Sequence, residues 1–473
     1  MTRRALTAGD RRTRLLLLLG GTAAFGFWFG LSMLAVVLSF VVMLVVHELG
    51  HFVVARWAGM QVTEAFIGFG PRVWSVQRGE TEYGVKAIPA GAYVRITGMT
   101  NLDEVEPEVE HRTYRQQSYP RRLAVALAGS ATQFLLAGLL LVVIFVALGR
   151  PDTGSWVVRS VVPATAAEEA GVLVEDRILS VGGRPVADFD RFGEVVRAGP
   201  GRVVAVEIER SGTRLVRSVT IGERLSSGGA AAFPGLYPGD RIVAVDGVTT
   251  AAWADVVDRV EVGTPHRLTV RRVDDSVVGV TSAPRRLPSA SAAVVGFFGV
   301  SPKHPLEPLG PVDGVVEATS TMGDLLWEST WALLRFFTPG GISGFVGGAV
   351  ESGGIEGGPT VTTTGPEEEN RLLSIYGAVR LGDAAFDSGA YNFLWFVVLV
   401  NVFVGVFNLV PLLPLDGGHI AIATYERLRS RRGRRHFADA AKLAQLTWVV
   451  VTFLLALALI ALYRDLVDLP DFG

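Results

Sequence analysis

The stretch LSMLAVVLSFVVMLVVHELGHFVVA, Leu31 to Ala55, decides how the rest of the chain is read. Residues Leu31–Val46 carry no charge, and then three ionisable side chains arrive close together: His47, Glu48 and His51. A run this apolar reads as a membrane-crossing helix, because about 20 such residues span the hydrocarbon core. A charged group inside that core costs at least about 2.5 kcal/mol. The spacing supplies a reason to keep the three. Positions i and i+4 of a helix share a face, so His47 and His51 reach one metal ion. Glu48 stands beside them as the general base for an attacking water. The pattern is H-E-x-x-H, and zinc suits two imidazoles plus one carboxylate. In a soluble protein the motif is only moderately specific. Within a membrane helix an unused Glu48 is hard to justify.

The composition agrees with a membrane class. Of 473 residues, 49% are hydrophobic and only 19% charged, and the mean hydropathy is +0.38, too apolar for an ordinary soluble protein. The apolar excess lies in the first 60 residues and in 121–148, 391–415 and 443–463, whereas 150–330 reads as a soluble insert. Leu123–Leu148, Tyr391–Leu415 and Leu443–Leu462 are each long enough to span. Leu15–Val46 exceeds one crossing. It is either one long tilted helix or a short extra segment followed by a span, with Gly20-Gly21 and Gly26–Gly30 as break points. Arg11–Arg14 followed by leucines also suits a signal peptide, but the apolar run continues far past a typical h-region. A net charge of -2 gives no sign of a nucleic-acid partner. With no cysteine, disulfides and thiolate metal sites are excluded, so a metal must use His, Asp, Glu or water.

Lysine and arginine in short loops set orientation. Arg427, Arg429, Arg431, Arg432, Arg434, Arg435 and Lys442 mark the loop after the third strong span as cytoplasmic. Arg72, Arg78, Lys86, Arg95, Arg112, Arg115, Arg121 and Arg122 do the same for 59–122. The insert then lies outside. The basic N-terminus argues the other way, and an extra N-terminal segment would reconcile the two.

A catalytic zinc usually has three protein ligands and one open position. The span 391–415 runs into Asn408-Leu-Val-Pro411-Leu-Leu-Pro414-Leu-Asp416-Gly417-Gly418-His419. The two prolines interrupt the helix, the glycines let the backbone turn, and unwound backbone at membrane depth is tolerated where it lines a cavity. Asp416, the only acid near that end, is the expected third ligand; otherwise it is a helix-end residue in headgroup water. His419, past the glycines, is expected to face the interface.

The insert contains a duplication. Gly171-Val-Leu-Val-Glu-Asp-Arg-Ile178 returns as Gly235-Leu-Tyr-Pro-Gly-Asp-Arg-Ile242, an offset of 64 residues that also aligns Val181 with Val245, Gly183 with Gly247 and Val206 with Val270. Each copy reads strand, turn, helix (Phe189–Arg197, Trp253–Val260), strand. Both resemble PDZ domains, the first copy (155–222) more closely than the second (229–285). That resemblance implies an α+β fold that takes peptide termini by adding a strand to a sheet edge. A β-rich spacer without a ligand is the alternative.

H-E-L-G-H together with N-x-x-P-x-x-P-L-D-G-G, in this order and flanking such an insert, resembles the site-2 protease family of intramembrane zinc metalloproteases. The resemblance covers nearly the whole chain. Gly68-Phe69-Gly70-Pro71, Gly79–Lys86 and Asn370–Arg380 look like its actinobacterial branch. The family implies that His47, His51 and Asp416 hold zinc, that Glu48 activates water, and that Asn408 helps hold the substrate extended. Asn401, seven residues earlier on the same helical face, either lines the same groove or makes an interhelical hydrogen bond. Tyr83–Ile96 resembles the family's membrane-associated β element, to which an unwound substrate could pair; an ordinary cytoplasmic hairpin is the other reading. The second span departs from the family's A-G-P-x-x-N, reading Ala128-Gly129-Ser130-Ala131-Thr132-Gln133 here.

The expected architecture is therefore a polytopic α-helical membrane protein of about four spans, with or without an extra N-terminal segment, carrying a tandem PDZ-like α+β insert. Residues 1–58 hold the N-terminal membrane segments, 59–120 a cytoplasmic loop with the β element, and 121–150 the second core span. The repeats occupy 155–222 and 229–285, and 286–390 is a linker with an amphipathic piece (Trp331–Phe337) and a flexible Gly-, Thr- and acid-rich loop (Glu351–Glu369). The third core span is 391–416, a basic cytoplasmic loop 417–442 and the last span 443–463. The implied setting is the plasma membrane, crossed several times, with the insert outside. The implied partners are the lipid bilayer and single-span substrates such as anti-sigma factors, already trimmed outside, with the repeats limiting access. An adaptor with a vestigial metal site is opposed by the intact His47, Glu48, His51 and Asp416. A transporter would need inverted repeats of spans, and none is visible.

Overall fold

The long N-terminal apolar run breaks at Gly30, whose backbone (φ 93°, ψ 161°) suits glycine and strains any side chain. Helix α1 (Ala8–Phe29) ends against it and α2 (Leu31–Trp57) begins. This is a computed structural model, describing residues 8–467 except 100–102, 163–164, 226–232, 234–235, 237–239, 262, 273–275, 285–293, 353–373 and 431–435. Most of the Glu351–Glu369 loop, part of the basic stretch at 431–435 and most of the opening of the second repeat lie outside the described residues.

After α2 come β1 (Val62–Arg78) and β2 (Thr81–Ile96), then α3 (Tyr119–Val143), which runs on through Leu148 as a π-type turn. The insert contributes β3 (Arg150–Pro151), β4 (Val157–Val161), α4 (Ala166–Glu169), β5 (Arg177–Val181), β6 (Arg184–Pro185), α5 (Phe189–Arg197), β7 (Val203–Arg210), β8 (Thr213–Thr220) and β9 (Gly222–Leu225). It continues with β10 (Arg241–Val245), β11 (Val248–Thr249), α6 (Trp253–Val257), β12 (His266–Arg271), β13 (Val277–Ser282), β14 (Val294–Phe297), β15 (Val300–Lys303) and β16 (Leu306–Glu307). Among the described residues six helices follow: α7 (Pro311–Phe336), α8 (Pro339–Ser352), α9 (Ile375–Asp387), α10 (Ala390–Asn408), α11 (Asp416–Arg429) and α12 (Ala440–Val467). Among the described residues, Leu31–Trp57, Tyr119–Leu148, Ala390–Asn408 and Ala441–Tyr463 are long and apolar enough to cross a membrane. The chain divides into a helical unit (1–147, 309–354, 369–473) and an insert unit (148–308, with 355–368).

In the helical unit α3 is the central strut, packed by α2, α10, α11 and α7. Small residues set those approaches. A Cβ at Gly50 of α2 would run into the Ala128 carbonyl and the Thr132 side chain of α3, and one at Gly405 of α10 would run into the Phe134 ring. Higher up, Ala137, Leu141, Ile144 and Phe145 of α3 form a core with Val398, Val402 and Val406 of α10 and Ala318 of α7. The β1–β2 hairpin is antiparallel, repeatedly bulged, and packed against α2, with Phe66 stacked on Tyr93 at 5.8 Å.

The insert unit folds the duplication as two four-stranded sheets of matching order, β6-β5-β7-β8 and β11-β10-β12-β13. A bulge falls at Ile178/Ser180 in one and at Ile242/Ala244 in the other, 64 residues apart. Both β5–β6 and β10–β11 turns use two consecutive positive-φ residues, Gly182-Gly183 and Asp246-Gly247, as tight primed hairpins require. Asp176 and Asp240 repeat as well: Asp176 takes Arg210 through both oxygens at 2.8 and 2.7 Å, whereas Arg272 stands 3.8 Å from Asp240. Residues 294–307, which sequence reading left in the linker, form three strands. β14 pairs with β9, β15 with β4 and β16 with β3. Phe298 between them enters the core of the first repeat beside Trp156, Ile178, Phe192 and Val206.

Candidate active site

Two helix faces and one interrupted helix build the site. His47 and His51 lie one turn apart on α2, both buried, with their Nε2 atoms 3.1 Å apart. Asp416 brings Oδ2 to 3.2 Å from each of them. It arrives there because α10 stops at Asn408 and residues 409–415 wrap back as turns before α11 starts at Asp416 itself. That wrap depends on the glycines that follow. A Cβ at Gly417 would strike the Leu409 and Val410 carbonyls, and one at Gly418 the backbone of Leu412 and Leu413. Asp416 is the first residue of α11, where the helix dipole favours a carboxylate.

α3 supplies the floor. The Val125 carbonyl accepts from His51 Nδ1 at 2.8 Å, which leaves the Nε2 lone pair of His51 facing His47 and Asp416. Gly129, one turn on, lies directly against both imidazoles, so a Cβ there would collide with them. Thr132 Oγ1 donates to the Val46 carbonyl at 3.1 Å and to the Gly129 carbonyl at 2.8 Å, tying α3 to the turn of α2 that carries His47.

These residues fit zinc on the chemistry of the donor set. Three ligand atoms in a tetrahedral zinc site stand about 3.3 Å apart, and the three here stand 3.1–3.2 Å apart. Asp416 Oδ2 is enclosed yet has no hydrogen-bond partner, so it is aimed at two imidazole nitrogens without a proton to share well. A cation relieves that meeting of lone pairs. Among the described residues this is the one group of three or more His, Cys, Asp or Glu side chains that could hold a metal ion. Glu48 is half-buried beside it, with His51, His47, Asp416 and the Val94 backbone of β2 as its electrostatic neighbours. His419 is outside the group; its ring meets Tyr114 edge-on at 6.3 Å.

The two asparagines are placed differently. Asn401 is fully buried on α10; its Nδ2 donates to the Val397 carbonyl at 2.8 Å and its Oδ1 has no partner. Asn408 is half-buried at the last turn of α10. Sequence reading missed a buried ion pair. Arg122, read there only as a cytoplasmic charge, is buried against Glu426 of α11 at 2.6 Å. Glu426 also accepts the Ala438 N–H at 2.7 Å. The pair fastens α3 to the helix that begins with Asp416. Glu426, ten residues after Asp416 on a helix that otherwise ends in arginines, was the available signal.

Comparison with known proteins bears on the whole chain. Residues 35–455 match peptidase family M50. The zinc metalloprotease Rip1 of Mycolicibacterium smegmatis is 32% identical over 461 residues, covering 93% of this chain and 98% of that protein. Rip1 of Mycobacterium tuberculosis H37Rv is 29% identical, covering 91% and 96%. Protease RseP of Yersinia pestis is 27% identical, covering 84% and 91%. With its metal-competent triad set among membrane-length helices, this chain belongs to peptidase family M50, the site-2 proteases, and is an intramembrane zinc metalloprotease.

Proposed function

We propose that His47, His51 and Asp416 hold the zinc, that Glu48 is the general base, and that the substrate is a single-span membrane protein cut in or near its span. The observation that carries this is the convergence of two imidazole nitrogens and one carboxylate oxygen at 3.1–3.2 Å, with Glu48 adjacent, in the C-terminal half of the membrane-length helix α2. Zinc, when bound, supplies Lewis acidity to a water and to the scissile carbonyl. Glu48 takes the proton of the attacking water and returns it to the leaving amine. Val125 and Gly129 keep the imidazoles where they are needed. Asn408, at the end of α10, and Asn401, with its unpartnered Oδ1, hold the substrate strand. A helical substrate hides its amides, so it must unwind before cleavage; β2, packed on α2, is the strand that receives it.

The same reading places the chain in the plasma membrane, with basic loops in the cytoplasm and the insert outside. The two matching sheets act as PDZ-like domains that limit access to substrates already trimmed outside. The Salmonella typhimurium relative is named a regulator of sigma-E protease, which supports anti-sigma factors as the substrate class. The test is cleavage of a reconstituted single-span peptide by wild type and by Glu48→Gln. Cutting by wild type alone, abolished by a chelator, is the expected result. Equal cutting by both refutes the assignment of Glu48.

A further inference from the structure

The residues Val125, Gly129, Gln133, Ala137 and Leu141 form one i, i+4 row along α3, and all five are buried. The row has a meaning at each end. At Val125 and Gly129 it touches the imidazoles of His51 and His47. At Ala137 and Leu141 it packs into the apolar core with α10. Gln133 stands between, one turn along α3 from Gly129, and is 0% exposed. Neither its Oε1 nor its Nε2 has a hydrogen-bond partner, and beside it Ser130 Oγ is buried and unpartnered too. A buried carboxamide with no partner costs stability that leucine or methionine of similar volume would not. Packing alone therefore does not account for glutamine at this position.

We propose that the Gln133 carboxamide binds the backbone of the unwound substrate segment next to the scissile bond. This rests on the reading of the site given above. The chemistry of the occupant follows from the solvent. Inside a bilayer, an unwound stretch exposes N–H and C=O groups that have no water to pair with, so the protein must supply the partners. A carboxamide presents a donor NH2 group and an acceptor oxygen in a single plane. It thus matches the C=O and N–H that an extended peptide offers. Such a contact reads backbone and not side chains, so it selects for segments that unwind and tolerates varied sequence.

The test uses full-length enzyme in proteoliposomes and a single-span peptide that wild type cuts and Glu48→Gln does not. If that first contrast fails, the assignment of the site falls, independently of Gln133. Given the contrast, Gln133→Leu should raise KM about tenfold with kcat within about twofold, since a binding contact common to ground and transition states is lost. Its zinc content and melting temperature should be no lower than wild type, because the substitution removes an unpaired polar group. Gln133→Asn, which keeps the carboxamide, should recover part of the affinity. Unchanged KM in Gln133→Leu overturns the proposal. So does a higher KM accompanied by lost zinc or a lower melting temperature, which marks a packing role.

Discussion

Gly129→Ala adds one methyl group at the point where α3 meets both imidazoles. A Cβ built there lies 2.6 Å from His47 Nε2 and also against His47 Cε1 and His51 Nε2, whereas real Cβ contacts stay beyond 3.0 Å. The rings must retreat by about 0.4 Å or more. Metal–ligand distances tolerate only about 0.2 Å. The backbone cannot easily yield either, because Thr132 and the Val125 carbonyl fasten this part of α3 to α2. The expected loss of zinc affinity is about 10–100-fold, the range for disturbed supporting contacts, or about 1.4–2.7 kcal/mol. Zinc retained after dialysis against graded chelator, measured by mass spectrometry, reads it directly, and peptide cleavage should fall in parallel. Gly138→Ala is the control on the same helix. Its Cβ meets only Met322 Cε, at an ordinary 3.7 Å. That variant should keep its zinc and gain up to about 1 kcal/mol of helix stability. If Gly129→Ala holds zinc as tightly as Gly138→Ala, the proposed triad is not the metal site.

Glu426→Gln should lower stability by about 3–5 kcal/mol, because it leaves the Arg122 charge buried without its partner; pairing it with Arg122→Met should restore much of the loss, and equal melting temperatures for all three would refute a buried ion pair. In the insert, burial pushes the Asp176 carboxyl up, but the two-pronged Arg210 and the Leu173 N–H outweigh it and hold its pKa below the ordinary value. A depressed carboxylate stabilises the fold above its unfolded pKa and loses that contribution as pH falls through the folded one. Amide protection of β5 and β7, corrected for intrinsic exchange, should therefore fall below about pH 4, and Asp176→Asn should flatten that fall; the same acid response in both would refute it. Finally, Leu225 and Val294 are paired neighbours on β9 and β14, so 226–293 sits at the tip of a hairpin. Replacing it with Asn-Gly should leave the first repeat folded by limited proteolysis and, if the second repeat gates access, permit cleavage of untrimmed substrates; unchanged selectivity would remove that repeat from the gate.

The parts of this protein legible in its sequence are those whose cause is local. His47 and His51 share a helix face at a spacing of four, and Asp416 stands beside prolines and glycines that dictate an interrupted helix. The 64-residue offset carried even the paired positive-φ turns at Gly182-Gly183 and Asp246-Gly247. What was not legible has a cause distant in the chain. Gly129 looked like part of a motif that departs from its family, because nothing within α3 shows two imidazoles lying against it. Arg122 looked like a topological charge, because Glu426 is 304 residues away.

The return of β14–β16 shows the same limit most sharply. Self-similarity places the end of the insert where the second copy ends, near 285. The strands at 294–307 have no counterpart within the duplicated unit, so no repeat-based argument could find them. Yet Val157 pairs with Lys303, and Phe298 enters the core that holds Trp156 and Phe192, its ring edge-on to Phe192 at 5.5 Å. The first repeat is thus closed by residues that follow the second, and the second is an insertion within the first. A deletion drawn at 155–285 would remove the partners of β14 and β15 and expose Phe298, so altered cleavage by that variant would report misfolding as readily as gating. The excision at 226–293 keeps β9 paired to β14 and β4 to β15, and a change in selectivity there belongs to the second repeat alone.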